Sequence, residues 1–216
     1  MALHHPALEM LLDYASGGLE EAASVTVALH SSMCSVCSDV LASMDQAAAA
    51  LVDEIEEVEL EESAFEQALL RLESDESDYK NDLQQPVPDY GFIVPKTIQP
   101  YVSKSGILWS DVTRGIKRAR LLESQGNSRL DILRIAPGNK IPLHSHDGKE
   151  CTVVMEGGFS DDQKHYGPGD FSFADSAVNH SPEADEDGGC MCLIALDSPI
   201  RLVGPFGRWL NPLLRH

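Results

Sequence analysis

The chain has 216 residues, 43% of them hydrophobic and 6% aromatic, and its 16 Lys/Arg against 35 Asp/Glu give a formal net charge of −19. This length fits one large domain or two small ones, and the composition excludes a collagen, a disulfide-dense scaffold and a wholly disordered chain. Such acidity is repelled by nucleic acid and anionic lipid, so neither is expected as a direct partner.

The first nine residues lack the basic start and apolar run of a signal peptide. No apolar stretch reaches the roughly 18 residues of a membrane span. A cytoplasmic protein is expected, and its five unevenly spaced cysteines read as metal ligands or free thiols rather than disulfides.

Residues 1–77 read as helical. Leu8, Leu11, Leu12 and Ala15 follow the spacing of one helix face, with Pro6 in the first turn and Gly17-Gly18 as a stop. A second helix runs from about Leu19 toward His30. A third carries Val40, Leu41, Met44, Ala48, Leu51 and Ile55 on one stripe. Ser63 and Glu66 form a capping-box pattern ahead of a fourth, marked by Phe65, Leu69 and Leu72. Four helices in so few residues make a bundle with a thin core, which calls for a staple.

Residues 78–101, rich in Pro and polar side chains, read as a linker. From 102 to 216 the texture changes to short strands: Ile107–Trp109, Lys117–Leu122, Ser128–Ile135, Cys151–Met155, Phe171–Phe173 and Cys190–Leu196. Regular short strands of this kind predict an all-β barrel of jelly-roll type. The fold class is therefore α+β in two domains, a stapled four-helix unit and a β-barrel. Trp109 and Trp209 are expected as core or edge anchors, and His165 and His216 give no interpretable signal.

Charge divides along the same boundary. Residues 1–80 hold 18 Asp/Glu and 2 Lys/Arg, a balance of −16, whereas residues 81–216 hold 17 and 14, a balance of −3. The asymmetry suggests two units with different partners, the first suited to a basic protein surface.

His30-x3-Cys34-x2-Cys37 is the strongest short motif. On a continuous helix these positions share one face, at i, i+4 and i+7. Two thiolates and an imidazole favour zinc, and a closed structural site needs a fourth ligand. His5, just ahead of Pro6, is the leading candidate and His4 the second. A redox CxxC is a further reading, but no βαβ context accompanies it.

These residues also carry a resemblance. HH-P-x-L-E-x-L-L-D-Y-A-x-G-x-L from His4, followed by the His30-x3-Cys34-x2-Cys37 run, resembles the zinc-binding anti-sigma domain, and in particular the ChrR family, which joins that domain to a cupin. The resemblance implies a non-enzymatic regulator that holds an extracytoplasmic-function-type sigma factor in a 1:1 complex. It further implies zinc on His5, His30, Cys34 and Cys37, and release on oxidative signals such as singlet oxygen or organic peroxides.

Gly138-x5-His144-Ser-His146-x3-Glu150-x6-Gly157 matches the first cupin motif at every fixed position. Strand alternation puts His144 and His146 on one side, toward the barrel interior, and Gly157-Gly158 is expected to form a hairpin turn. Tyr166-Gly-Pro-Gly-Asp170 with Asn179-His180-Ser-Pro182 resembles the second cupin motif and implies His180 as fourth ligand. The interval from Gly169 to His180 departs from the enzymatic pattern, which weakens transfer of catalytic activity. Three imidazoles and a carboxylate suit a filled zinc site, or iron or manganese with open positions, and the resemblance favours zinc. The competing reading is a cupin metalloenzyme, an oxygenase or isomerase, with an accessory helical domain.

Cys190 and Cys192 share a face of a late strand, either as a redox-responsive pair or alternative ligand set, or as packing. Cys151 should point away from Glu150 and pack on the opposite face.

Overall fold

A computed structural model of the chain describes residues 2–72, 90–103, 106–123, 128–162 and 164–203. Residues 78–89 of the expected linker, Trp209 and His216 lie outside these.

The N-terminal region is helical: α1 (Leu8–Ala15), α2 (Glu21–Met33), α3 (Ser35–Val52) and a helical stretch over 64–72. α2 buries Ala22, Val25, Thr26, Val27, Leu29 and His30, an apolar set that reaches round the helix. A helix of that kind must be covered on every side. α1 and α3 cover part of it, and a β-sheet covers the rest. The helical unit, whose core was expected to be thin, thus completes that core against the barrel. Only Leu11 of the α1 face is buried, and Leu51, Ile55, Phe65, Leu69 and Leu72 are exposed.

One correction concerns the metal motif. α2 and α3 are not one helix; Cys34 adopts an extended conformation (φ −125°, ψ 108°) and the axes bend by 114° there. His30 lies in the last turn of α2, Cys34 at the corner and Cys37 in the first turn of α3. No single helix among the described residues is long and apolar enough to cross a membrane.

The C-terminal region is a β-barrel. Its large sheet contains β1 (Trp109–Thr113), β2 (Ile116–Glu123), β3 (Arg129–Ile135), β5 (Glu150–Gly157), β8 (Phe171–Ala174) and β11 (Cys190–Leu196), in the order β1-β2-β3-β11-β5-β8. These correspond to the six strands expected from sequence, with β1 shifted toward the C-terminus. Two smaller sheets close the barrel: β12 (Ile200–Leu202), β4 (His144–His146) and β9 (Asn179–His180) in one, β10 (Glu183–Ala184), β6 (Phe159–Ser160) and β7 (His165–Tyr166) in the other. The register is antiparallel throughout, with Leu196 of β11 opposite both Arg129 and Glu150.

Alternation along the large sheet sorts its side chains. Leu130, Ile132, Cys151, Val153, Leu193 and Ala195 share a core with α2. Ile116, Ile135, Val154, Cys192 and Ile194 face the barrel interior. Val94 and Ile98, within the segment read as linker, join the first core through a 3-10 helix over Lys96–Tyr101. Tyr101 Oη donates to Glu21 Oε1 at 2.9 Å.

Gly157-Gly158 does not form the expected hairpin. β5 pairs with β8 and β11, and β6 pairs with β7 and β10, so the glycines carry the chain from one sheet to another. Gly157 has φ +66°, and a Cβ there would lie 2.0 Å from the Gly189 carbonyl oxygen. Only glycine tolerates both conditions.

Candidate metal centres

The corner between α2 and α3 brings His30, Cys34 and Cys37 together, and the irregular segment ahead of α1 adds His5. One ligand atom from each lies within 4.8 Å of the others. His30 Nε2 is 3.3 Å from Cys37 Sγ, and His5 Nδ1 is 3.4 Å from Cys34 Sγ and 3.5 Å from Cys37 Sγ. His30 donates its Nδ1–H to the Gly169 carbonyl at 2.7 Å, which fixes the tautomer and leaves the Nε2 lone pair facing the sulfurs. His30, Cys34 and Cys37 are buried, and His5 is exposed. His4, the second candidate from sequence, is tied elsewhere: its Nε2–H donates to the His165 carbonyl at 3.1 Å and its ring packs on Tyr166.

The electrostatics fit a divalent cation. Burial and then the adjacent Cys34 push the Cys37 thiol up to about 11, and burial pushes His30 down. Without a cation the pocket favours neutral groups. Cys34 and Cys37 would hold a cation as thiolates, each giving up its proton.

The second group lies inside the barrel. β4 supplies His144 and His146, the start of β5 supplies Glu150, and β9 supplies His180, all buried and again within 4.8 Å. His180 Nε2 is 3.0 Å from the Nε2 atoms of both His144 and His146. Glu150 Oε1 lies 3.9 Å from His180 Nε2, and Glu150 Oε2 lies 3.8 Å from His146 Nδ1. His144 donates Nδ1–H to the Pro142 carbonyl at 2.9 Å, and Thr152 Oγ1 donates to Glu150 Oε1 at 3.3 Å. His146 Nδ1 is buried without a hydrogen-bond partner.

Burial, with His144 and His180 beside it, pushes His146 down to about 3. Burial and then His144 push His180 down to about 4, and burial alone dominates the downward shift of His144. Glu150 is driven up to about 7 by burial. Three neutral imidazoles turned toward one point beside a carboxylate that burial discharges make a set that fits a divalent metal of the zinc, iron or manganese type. The adjoining cavity, about 340 Å³, is walled chiefly by Ile116, Leu133, Ile135, Phe159 and Ile194.

Cys192 lines that cavity and Cys190 sits on the same inward face; both are free thiols. Cys151 points the other way, against α2, and burial pushes its thiol up to about 12.

Sequence reasoning missed the residues that join the two groups. Asp170 accepts backbone hydrogen bonds from Leu3 and His4, and Phe171 N–H donates to the His4 carbonyl at 3.0 Å. The Phe171 ring meets His30 edge-on, with centroids 5.8 Å apart. The Gly167-Pro-Gly-Asp170 run signals a turn, but nothing in it announces a contact some 165 residues away.

Residues 99–198 match the ChrR cupin-like domain family. The chain is 30% identical over 216 residues to the anti-sigma-E factor ChrR of Cereibacter sphaeroides, with 98% of each protein covered. It also superposes, with a TM-score of 0.74 and 30% identity, on a chain in the crystal structure of Rhodobacter sphaeroides SigE in complex with the anti-sigma ChrR, covering 91% of this chain and all of that one. On this likeness across both halves, the protein belongs to the ChrR family of anti-sigma factors.

Proposed function

We propose that the protein sequesters an extracytoplasmic-function-type sigma factor in a 1:1 cytoplasmic complex through residues 1–77, and that residues 102–216 form the unit that answers an oxidative signal. The observation that carries this reading is the full-length 30% identity to an anti-sigma factor whose counterpart was crystallised with SigE.

His5, His30, Cys34 and Cys37 would hold zinc, the ion best matched to two thiolates and two imidazoles. His144, His146, Glu150 and His180 would hold zinc in the barrel, with iron or manganese the other outcomes of a metal analysis. His5, His30, Cys34 and Cys37 would join the N-terminal segment to the α2–α3 corner, with bound zinc supplying the cross-linking strength. The chain's own residues do the rest. The corner sets the angle between α2 and α3, and α3 leads into a ledge of exposed apolar side chains, Leu51, Val52, Ile55, Val58, Leu60 and Phe65. Six exposed large apolar side chains on an acidic unit suit a partner with a basic, partly apolar surface. A sigma factor carries basic surfaces for promoter DNA.

Oxidation is chemically accessible to thiolates and imidazoles of the two groups. The test is co-purification of the full chain with its untagged sigma factor, with metals quantified in the complex. A stable 1:1 complex with zinc is expected. A chain that captures no sigma factor would overturn the reading.

A further inference from the structure

The helical metal group is built from both halves of the molecule. Its least packed member is His5, exposed and borne on a segment without secondary structure. What fixes that segment is Asp170. This carboxylate is 4% exposed, and the hydrogen bonds it accepts come from backbone N–H groups: Leu3 at 2.5 Å, His4 at 3.0 Å and Gly167 at 2.9 Å. A buried carboxylate is tolerable only when so satisfied. Phe171 N–H closes the same clasp on the His4 carbonyl. One residue earlier, Gly169 turns its carbonyl onto His30 Nδ1; its φ of +88° belongs to the region that favours glycine, and a Cβ there would touch Met33 at 3.6 Å and Ala2 at 3.7 Å.

Three consecutive cupin residues thus hold one metal-group residue, His30, directly and a second, His5, through its chain neighbours Leu3 and His4. They lead into β8, whose last residue, Ala174, pairs with Glu150 of the barrel group. The stretch from Gly169 ends in β9 at His180. One short run of chain therefore has an end in each metal group.

We infer that Asp170 is a positioning residue for the helical metal site: by clamping Leu3 and His4 to the start of β8 it holds His5 in ligand range, and so places retention of that metal under the control of the cupin. This deepens the proposed function, because it names the route by which a disturbance of the barrel reaches the sigma-binding half. Partners outside the ligand set that orient metal ligands commonly contribute 10–100-fold in affinity.

The test uses the full chain loaded with zinc and a chromophoric chelator that reports zinc release over time. The phase missing in Cys37→Ser belongs to the helical group, and the phase missing in His144→Ala belongs to the barrel. Asp170→Ala is expected to speed the helical phase about 10–100-fold and to leave the barrel phase unchanged. Asp170→Asn should restore part of the loss, since its amide oxygen still accepts from Leu3 and His4. Leu3→Pro removes the shortest donor at a position whose side chain is exposed, and should also speed the helical phase; together with Asp170→Asn it carries the test if Asp170→Ala does not fold. An unchanged helical phase in these variants, or equal acceleration of both phases, would overturn the inference. Zinc release is read without the sigma factor, so failure of the wild-type chain to capture one would count against the proposed function and not against the clamp.

Discussion

His146 and His180 face each other through their Nε2 atoms at 3.0 Å, in a barrel wall that leaves each no more than 5% exposed. Burial first, and then the neighbouring imidazoles, keep both neutral well below the usual imidazole range, to about 3 and about 4. The consequence for stability has a definite sign. A histidine with a depressed folded pKa binds fewer protons folded than unfolded between the two values, so stability falls as pH drops below about 6.5. His144 and His30 shift the same way through burial. Glu150, raised to about 7, acts oppositely and loses stability as pH rises from about 4.5 to 7. Four histidines outweigh one carboxyl. The metal-free chain should melt at lower temperature at pH 5 than at pH 7, by roughly 2–4 °C for each kcal/mol lost. Calorimetry of the metal-stripped protein across that range checks it, and a Tm that rises on acidification would contradict it.

Replacing Cys34 or Cys37 by Ser should remove about one equivalent of zinc per chain and loosen the helical half, since structural zinc binding is itself folding free energy. The corner at Cys34 has no side-chain cap to hold it otherwise. Metal analysis with far-ultraviolet circular dichroism reads both effects. A Cys37→Ser chain that keeps two zincs and its helicity would remove Cys37 from the ligand set. His144→Ala should deplete the barrel metal, preserve sigma capture and blunt release by the signal. Constitutive release in that variant would count against a division of labour between the halves.

Much of this architecture was legible in the sequence, and the exceptions share a cause. The strands of the large sheet run four to eight residues, long enough for apolar alternation to mark them. The closing strands are two or three residues long, with β4 and β9 known beforehand only through their histidines. The spacing of His30, Cys34 and Cys37 singled out these residues, but read them as one helical stripe. Ser31-Ser-Met-Cys34-Ser carries neither Gly nor Pro, so the 114° bend left no local mark. The docking of α2 was hidden for a related reason: its apolar residues fit a bundle as well as a sheet, and only the tertiary structure decides between them. Asp170 was invisible because its partners are backbone N–H groups, which have no sequence signature.

The exposed ledge gives a third prediction. Phe65 and Leu60 are 72% and 82% exposed, so polar replacement should cost the free protein within about 0.5 kcal/mol. If the ledge meets the sigma factor, Phe65→Ser with Leu60→Ser should weaken capture at least tenfold, each buried large apolar side chain being worth about 1.5–3 kcal/mol. The association rate should also fall with added salt, since residues 1–80 carry a balance of −16. Surface plasmon resonance at two ionic strengths measures both. Unaltered capture by the double variant would move the interface elsewhere, and a salt-independent rate would exclude charge steering.

Two neighbouring glycines make the last prediction a controlled one. Gly157 carries the chain between sheets at φ +66°, and a methyl group there would meet the Gly189 carbonyl oxygen at 2.0 Å and its carbon at 2.9 Å. Both obstacles are backbone, and Gly158 N–H donates to that same oxygen at 3.1 Å, so the wall cannot rotate aside as a side chain would. Gly157→Ala must therefore adopt a left-handed conformation and push β5 away from the turn before β11, at a cost of about 3 kcal/mol. For a chain of this length that is roughly 6–12 °C in Tm. Gly188 lies one residue before Gly189, and a Cβ there would meet nothing within 4 Å. Gly188→Ala should be neutral or slightly stabilising, through the reduced freedom of the unfolded chain. Thermal denaturation of the pair separates close backbone approach from a general intolerance of the loop. Equal Tm values for the two variants would mean that the sheet crossing at Gly157 is looser than its geometry states.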